Sequence, residues 1–144
     1  MALPALTVSV DATGPDGDTA LHLASLYGHA RCVEMLLGAG ASVTVRDADG
    51  GTPLHDASAG GFEPIVRMLL AACSGPDAAA DAANARDGDG EAPLHMAARG
   101  GYPGCVRLLL SAGASADARS NAGLYPWNYA DEGSELEAML PKVE

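Results

Sequence analysis

Positive charge is scarce in this chain: of 144 residues 8 are Lys or Arg against 19 Asp or Glu, a formal net charge of −11 at pH 7. Nucleic-acid binding depends on cationic side chains that release counterions from phosphates, so no DNA or RNA partner is expected. A basic or mixed-charge protein surface suits this field better. Lysine is nearly absent, Lys142 being the single one; the other cations are Arg, whose planar fork suits carboxylates at interfaces. Aromatics are few, one Trp, four Tyr and one Phe, so a core must come from Leu, Val, Ala and Met, which favours small, closely approaching helices. Long hydrophobic runs are missing: no window approaches the roughly 18 apolar residues of a spanning helix, and no membrane partner is expected. Glycine is plentiful but lacks an every-third-residue period, which excludes a collagen-like chain. The opening MALPALTVSVDATG has neither a basic start nor a long apolar core, so no signal peptide is read. The expected compartment is cytoplasm or nucleus, where the three cysteines stay reduced.

What the chain does have is self-similarity. GDTALHLASLYGHARCVEMLLGAGASV, GGTPLHDASAGGFEPIVRMLLAA and GEAPLHMAARGGYPGCVRLLLSAGASA follow one another. His22 to His55 is 33 residues and His55 to His95 is 40, so the second period carries seven extra residues, within 73–83. A degenerate fourth copy puts Pro126, Trp127 and Asn128 where Pro93, Leu94 and His95 stand, and its second half, GSELEAML, is shortened. Val8-Ser9-Val10 takes the place that Ala41-Ser42-Val43 holds one period later. The first dozen residues therefore read as the tail of an earlier unit, capped by Leu3 and Leu6 or left open. The resulting division is a partial N-terminal cap over 1–13, units over 14–46, 47–86 and 87–119, and a degenerate capping unit over 120–144.

Within each unit apolar residues recur at helical spacing in two short stretches, Leu21, Leu23 and Ala24, then Cys32, Val33, Leu36 and Leu37. Thr52-Pro53 opens a helix well, since Thr caps and Pro suits the first turn. Pro64 and Pro103 fall in the first turn of the second helices. Gly28, Gly61 and Gly101 separate the two helices, and Gly40 and Gly113 follow the second. Arg46–Gly50 and Arg86–Gly90 read as turn tips.

The T-P-L-H-x-A signature, a Gly six residues after the His, an apolar-Leu-Leu run, G-A-x-x and a D-x-x-G turn together resemble the ankyrin repeat over roughly Gly14 to Leu140. Departures are Ala20 for the Pro, Ala92 for the Thr, Trp127-Asn128 for Leu-His, and the insertion. The resemblance implies an all-α solenoid of stacked helix-turn-helix units with hairpin-like connecting turns. It also implies that His22, His55 and His95 hydrogen-bond locally at the helix start. Residues in equivalent places of helices about 10 Å apart are poorly placed to share a zinc ion, whose nitrogens lie within about 2.1 Å. Cys32 and Cys105 align with Ile65 and read as small core hydrophobes; His29 aligns with Phe62 and Tyr102 and reads as packing. No metal, cofactor or catalytic residue is assigned. Asp47-x-Asp49-Gly50 superficially matches the nucleophile motif of haloacid-dehalogenase phosphatases, making a small acid-dependent hydrolase one alternative. A structural fragment of a longer ankyrin protein is the other.

The resemblance implies a non-catalytic interaction module or adaptor, expected to be a monomer, that meets another protein with its concave face and turn tips. The candidate binding residues are Asp16, Asp18, Leu26 and Tyr27 in the first unit; Arg46, Asp49 and Asp56 in the second; Arg86, Asp89, Glu91, Met96 and Arg99 in the third; and Arg119. Arg46, Arg86 and Arg119 are repeat-equivalent and form a ladder of guanidinium groups beside a row of carboxylates. Leu26-Tyr27 is the candidate apolar anchor.

Overall fold

A computed structural model describes residues 9–142. Leu3 and Leu6, the expected cap, lie outside them. Among the described residues there are eight α-helices and no strand. They are α1 (Ala20–Leu26), α2 (Ala30–Gly38), α3 (Pro53–Gly60), α4 (Glu63–Ala71), α5 (Pro76–Ala83), α6 (Pro93–Gly100), α7 (Pro103–Ser111) and α8 (Glu135–Met139), with a 3-10 helix at Pro126–Tyr129 before the last.

None of these helices is long enough to persist alone in water, where about 12–15 residues are marginal. Local chemistry starts them and stacking holds them. Thr19 and Thr52 precede α1 and α3 in extended conformation, each in a reciprocal box with the His three residues on. Ala92 lacks the hydroxyl, yet its N–H still donates to His95 Nδ1 at 3.1 Å. Pro53 and Pro93 are the first residues of α3 and α6, and Gly61 and Gly101 end them in the left-handed conformation.

The stack has two layers. First helices α1, α3, α6 and the 3-10 helix pack in succession, as do second helices α2, α4, α7 and α8. Leu21, Val33, Leu54, Ile65, Val66, Leu69, Leu94, Cys105, Val106 and Leu109 are buried between the layers, and Leu136 and Leu140 close the far end. Burial pushes the Cys105 thiol up to about 11, and the Glu63 carboxylate adds to this.

The same histidines join the units. Nδ1 of His22 accepts from Thr19 N–H at 3.1 Å while Nε2 donates to Gly51 O at 3.0 Å. His55 links Thr52 to Glu91 O, and His95 links Ala92 to Leu124 O, in the same way. An imidazole with an N–H donor at one nitrogen and a carbonyl at the other is neutral, with its proton on Nε2. The tips are tied by backbone bonds: Ala48 N–H to Asp16 O, Gly88 N–H to Asp49 O and Asn121 N–H to Asp89 O, at 2.8–3.0 Å. Gly50 lies in such a junction at φ 81°, and a Cβ there would sit 2.9 Å from Gly88 N, so a side chain is excluded by conformation and by space.

One feature adds to the sequence reading and another differs from it. The seven-residue surplus, located within 73–83 but given no conformation there, forms α5, and Asn84 just after it donates to Gly113 O and accepts from Ser115 N–H at 2.9 and 2.8 Å. Asp11 makes the matching acceptor bond to Ser42 N–H one unit earlier. Cys32 and His29, read as packed, are exposed, whereas Ile65 and Cys105 are buried and Phe62 half-buried. Burial at these places comes from the preceding unit, and no helix precedes α1 among the described residues.

Leu109 is fully buried on α7. Leu109→Ala is expected to remove about 2–5 kcal/mol through lost burial and the cavity left behind, read as a lower denaturant midpoint for the whole stack, since each short unit depends on its neighbours.

Candidate protein-binding surface

The tips and first helices carry most of the residues proposed for binding. Asp16, Asp49 and Asp89 project at successive tips and are exposed. Their carbonyls hold the next tip in place, so the carboxylates are spaced by backbone bonds rather than by flexible linkers. Asp47 lies inside its turn: its Oδ1 accepts from Asp49 and Gly51 N–H, both at 2.9 Å. Asp87 does the same one unit later with Asp89 and Glu91 N–H. The Asp47 carboxylate that a dehalogenase-like reading would make a nucleophile thus serves the turn, as its equivalent does.

The arginine ladder is present with a different bonding pattern. Arg46 Nη1 donates to Gly50 O at 2.9 Å and to Arg86 O; Arg86 Nη1 donates to Arg119 O at 2.9 Å; Arg119 Nε donates to Gly123 O at 3.4 Å. None of the three forms an ion pair with the row of carboxylates among the described residues. Arg46 and Arg86 bridge successive units through carbonyls, and the tip carboxylates Asp16, Asp49 and Asp89 form no ion pair with them.

Glu91, expected on an exposed tip, is instead buried. Its carbonyl is held by His55, and its carboxylate turns back over α6 to the Arg99 guanidinium and, at 3.3 Å, to the Tyr129 hydroxyl. Arg99 also donates to Tyr129 Oη at 3.1 Å and stacks 4.9 Å from the centroid of that ring. Burial alone would raise the Glu91 carboxyl, but the Arg99 hydrogen bond and charge hold it below its usual range. Met96 is half-buried beside them on α6. Tyr129 was not among the candidates, although it lies 33 residues after Met96 and repeat equivalence points to it.

On α1, Leu26 and Tyr27 are 42% and 65% exposed. Tyr27 lies where the second and third units have Gly60 and Gly100, each occupied closely by the aromatic ring two residues on, Phe62 or Tyr102. His29 supplies no such ring over α1, so there is room for a large side chain at Tyr27, which points to solvent. Asp56 on α3 is half-buried, with Asp18 and Asp47 nearby. Burial first, and then the two neighbouring negative charges, push its carboxyl up to about 7. His22, Asp47 and Asp56 place ligand-type atoms within 4.8 Å of one another, as do Asp87, Asp89 and Glu91. In the first group both His22 nitrogens are already hydrogen-bonded; in the second Glu91 is held by Arg99.

These shifts have opposite signs in stability. Folded Asp56 keeps its proton to about pH 7 but the unfolded chain ionises near 3.8, so its charge costs stability at high pH and nothing once both states are protonated. Asp56→Asn is therefore expected to raise the melting temperature at about pH 8, with the gain shrinking as pH approaches about 4. Burial lowers the imidazoles of His55 and His95 below 6.5 despite the hydrogen bonds to Glu91 O and Leu124 O. Their contribution is complete above that value and is lost as pH falls through it. In the Asp56→Asn background, thermal melts from about pH 7.5 to about pH 5.5 are expected to show falling stability.

The ankyrin-repeat family model matches this chain in three copies, over residues 3–82 and 47–121. A search of curated proteins finds no match. Ankyrin repeats act generally as protein-interaction modules and are generally not enzymes. With helix pairs stacked in two layers and the Thr-Pro-Leu-His start joining one unit to the next, the chain belongs to the ankyrin-repeat family.

Proposed function

We propose that this chain is a non-catalytic adaptor that binds a partner protein of basic or mixed surface charge on its first-helix face, the concave face of an ankyrin array, and on its turn tips. The observation that carries the reading is the solvent-facing Leu26-Tyr27 pair at the C-terminal end of α1, in the same layer as the half-buried Asp56, on a chain whose turn tips carry exposed carboxylates. An aromatic and a bulky aliphatic together make the kind of anchor that supplies most of an interface's affinity, and the surrounding charges steer a cationic partner. Arg46, Arg86 and Arg119 supply a fixed edge, and the Glu91–Arg99–Tyr129 network, with Met96, a preorganised polar floor. The units proposed for this work span 14–46, 47–86 and 87–119, with 120–144 as the cap. The module works in cytoplasm or nucleus and uses no cofactor, metal or nucleic acid.

An affinity pull-down with the whole chain, followed by binding titrations with the partner it identifies, tests this. Tyr27→Ala is expected to weaken binding by about 1–3 kcal/mol, roughly 5- to 150-fold, with little change in the melting curve. Arg67→Ala, on the exposed side of α4, is expected to leave affinity unchanged. The reverse pattern would put the partner on the second-helix side.

A further inference from the structure

Trp127, the single tryptophan, and Lys142, the single lysine, meet beside α8. Trp127 holds the place at which Leu21, Leu54 and Leu94 are buried in the full units, but its larger ring is only half-buried. Together with Leu140, Glu132, Glu137 and Lys142 it lines a pocket of about 310 Å3. Lys142 Nζ lies 3.6 Å from Glu137 Oε1 and 5.9 Å from the centre of the Trp127 ring. Glu137 is positioned by the backbone as well, since its other oxygen accepts from Gly133 N–H. Glu132 is exposed and forms no ion pair among the described residues.

We propose that this pocket receives the ammonium group of a lysine side chain from the partner protein, and that Lys142 is the chain's own occupant, displaced when the partner's lysine enters. The lining matches what an alkylammonium group uses: an aromatic face that attracts a cation, a carboxylate fixed beside it, and apolar surface along which the methylene stem can lie. Lys142 already sets an ammonium between that ring and that carboxylate. Its side chain is 65% exposed, so the contact is of the surface type that holds weakly and exchanges readily. With Lys142 in place the pocket still has two carboxylates against one ammonium, and a second cation is attracted before the first leaves. That the incoming lysine belongs to a protein rests on the adaptor reading above; the pocket's preference for an ammonium group does not.

Titration of the whole chain with N-acetyl-lysinamide tests the proposal, read by the emission of Trp127, which as the single tryptophan reports on this pocket alone. A saturable change is expected that N-acetyl-norleucinamide, with a similar stem and no charge, does not produce. Lys142→Ala is expected to lower the dissociation constant at least about threefold, because self-occupancy reduces apparent affinity by the fraction of chains whose pocket is open. Glu137→Gln, and Glu132→Gln on a side chain that nothing in the fold depends on, are each expected to raise it about two- to fivefold, as loss of a partly exposed charge pair does. Asp77→Asn on α5 is expected to change nothing. An equal response to norleucinamide, a Lys142→Ala variant that binds no more tightly than the parent, or glutamine variants that bind as the parent does overturn the pocket assignment. These outcomes are independent of the Tyr27→Ala result with the partner protein. A partner whose binding is unaffected when lysinamide saturates the pocket overturns the assignment to a protein lysine.

Discussion

A neutral imidazole at the start of each first helix is the constraint on which the other features of this protein rest. His22, His55 and His95 each accept a hydrogen bond from the backbone that precedes their own helix and donate one to the carbonyl that precedes the next. Both nitrogens are satisfied in a buried place, where an unpaired polar atom would be expensive. One side chain thus starts a helix too short to stand alone and fixes the distance to its neighbour. The Thr hydroxyls before α1 and α3 complete the arrangement, and Ala92 shows that the His bond persists without one.

Once spacing is fixed there, the surface follows. Tips held 33 or 40 residues apart in sequence become adjacent through single backbone bonds, so Asp16, Asp49 and Asp89 form a row. The arginines of the same tips spend their donors on carbonyls of their own turn or of the next unit, which makes the edge rigid. Charge that would otherwise be neutralised within the chain is left facing outward. A rigid, acidic edge has little conformational freedom left to lose, which is the sense in which preorganisation would favour the cationic partner proposed above.

Two carboxylates show how strongly place governs charge on this scaffold. Glu91 and Asp56 both lie on or beside first helices and both are partly removed from water. Glu91 has Arg99 against it and stays ionised; Asp56 has Asp18 and Asp47 near it and holds its proton to near neutrality. Binding of a cationic group beside Asp56 would ionise it, coupling recognition to pH on the same face that carries Leu26 and Tyr27.

Much of this was legible in the residues. The recurrence of T-P-L-H with its Gly and Leu-Leu positions determined the helix pairs, their order and their number, because each unit is a local motif whose starts and stops are encoded by Thr, Pro, His and Gly within a few residues. The exposure of the tip aspartates and of Leu26 and Tyr27 followed from position in the repeat. What only the tertiary structure decided concerns contacts between units. Position 32 and position 105 both hold Cys, yet one is exposed and the other buried, because burial there is supplied by the preceding helix pair and not by the residue itself. Glu91 reads like any turn carboxylate until Arg99 and Tyr129, 8 and 38 residues away, draw it inward. The arginine ladder read as a row of guanidinium groups beside carboxylates, and the acceptors its members use are carbonyl oxygens. Repeat periodicity determines which residues are equivalent; what each one touches depends on the neighbouring unit.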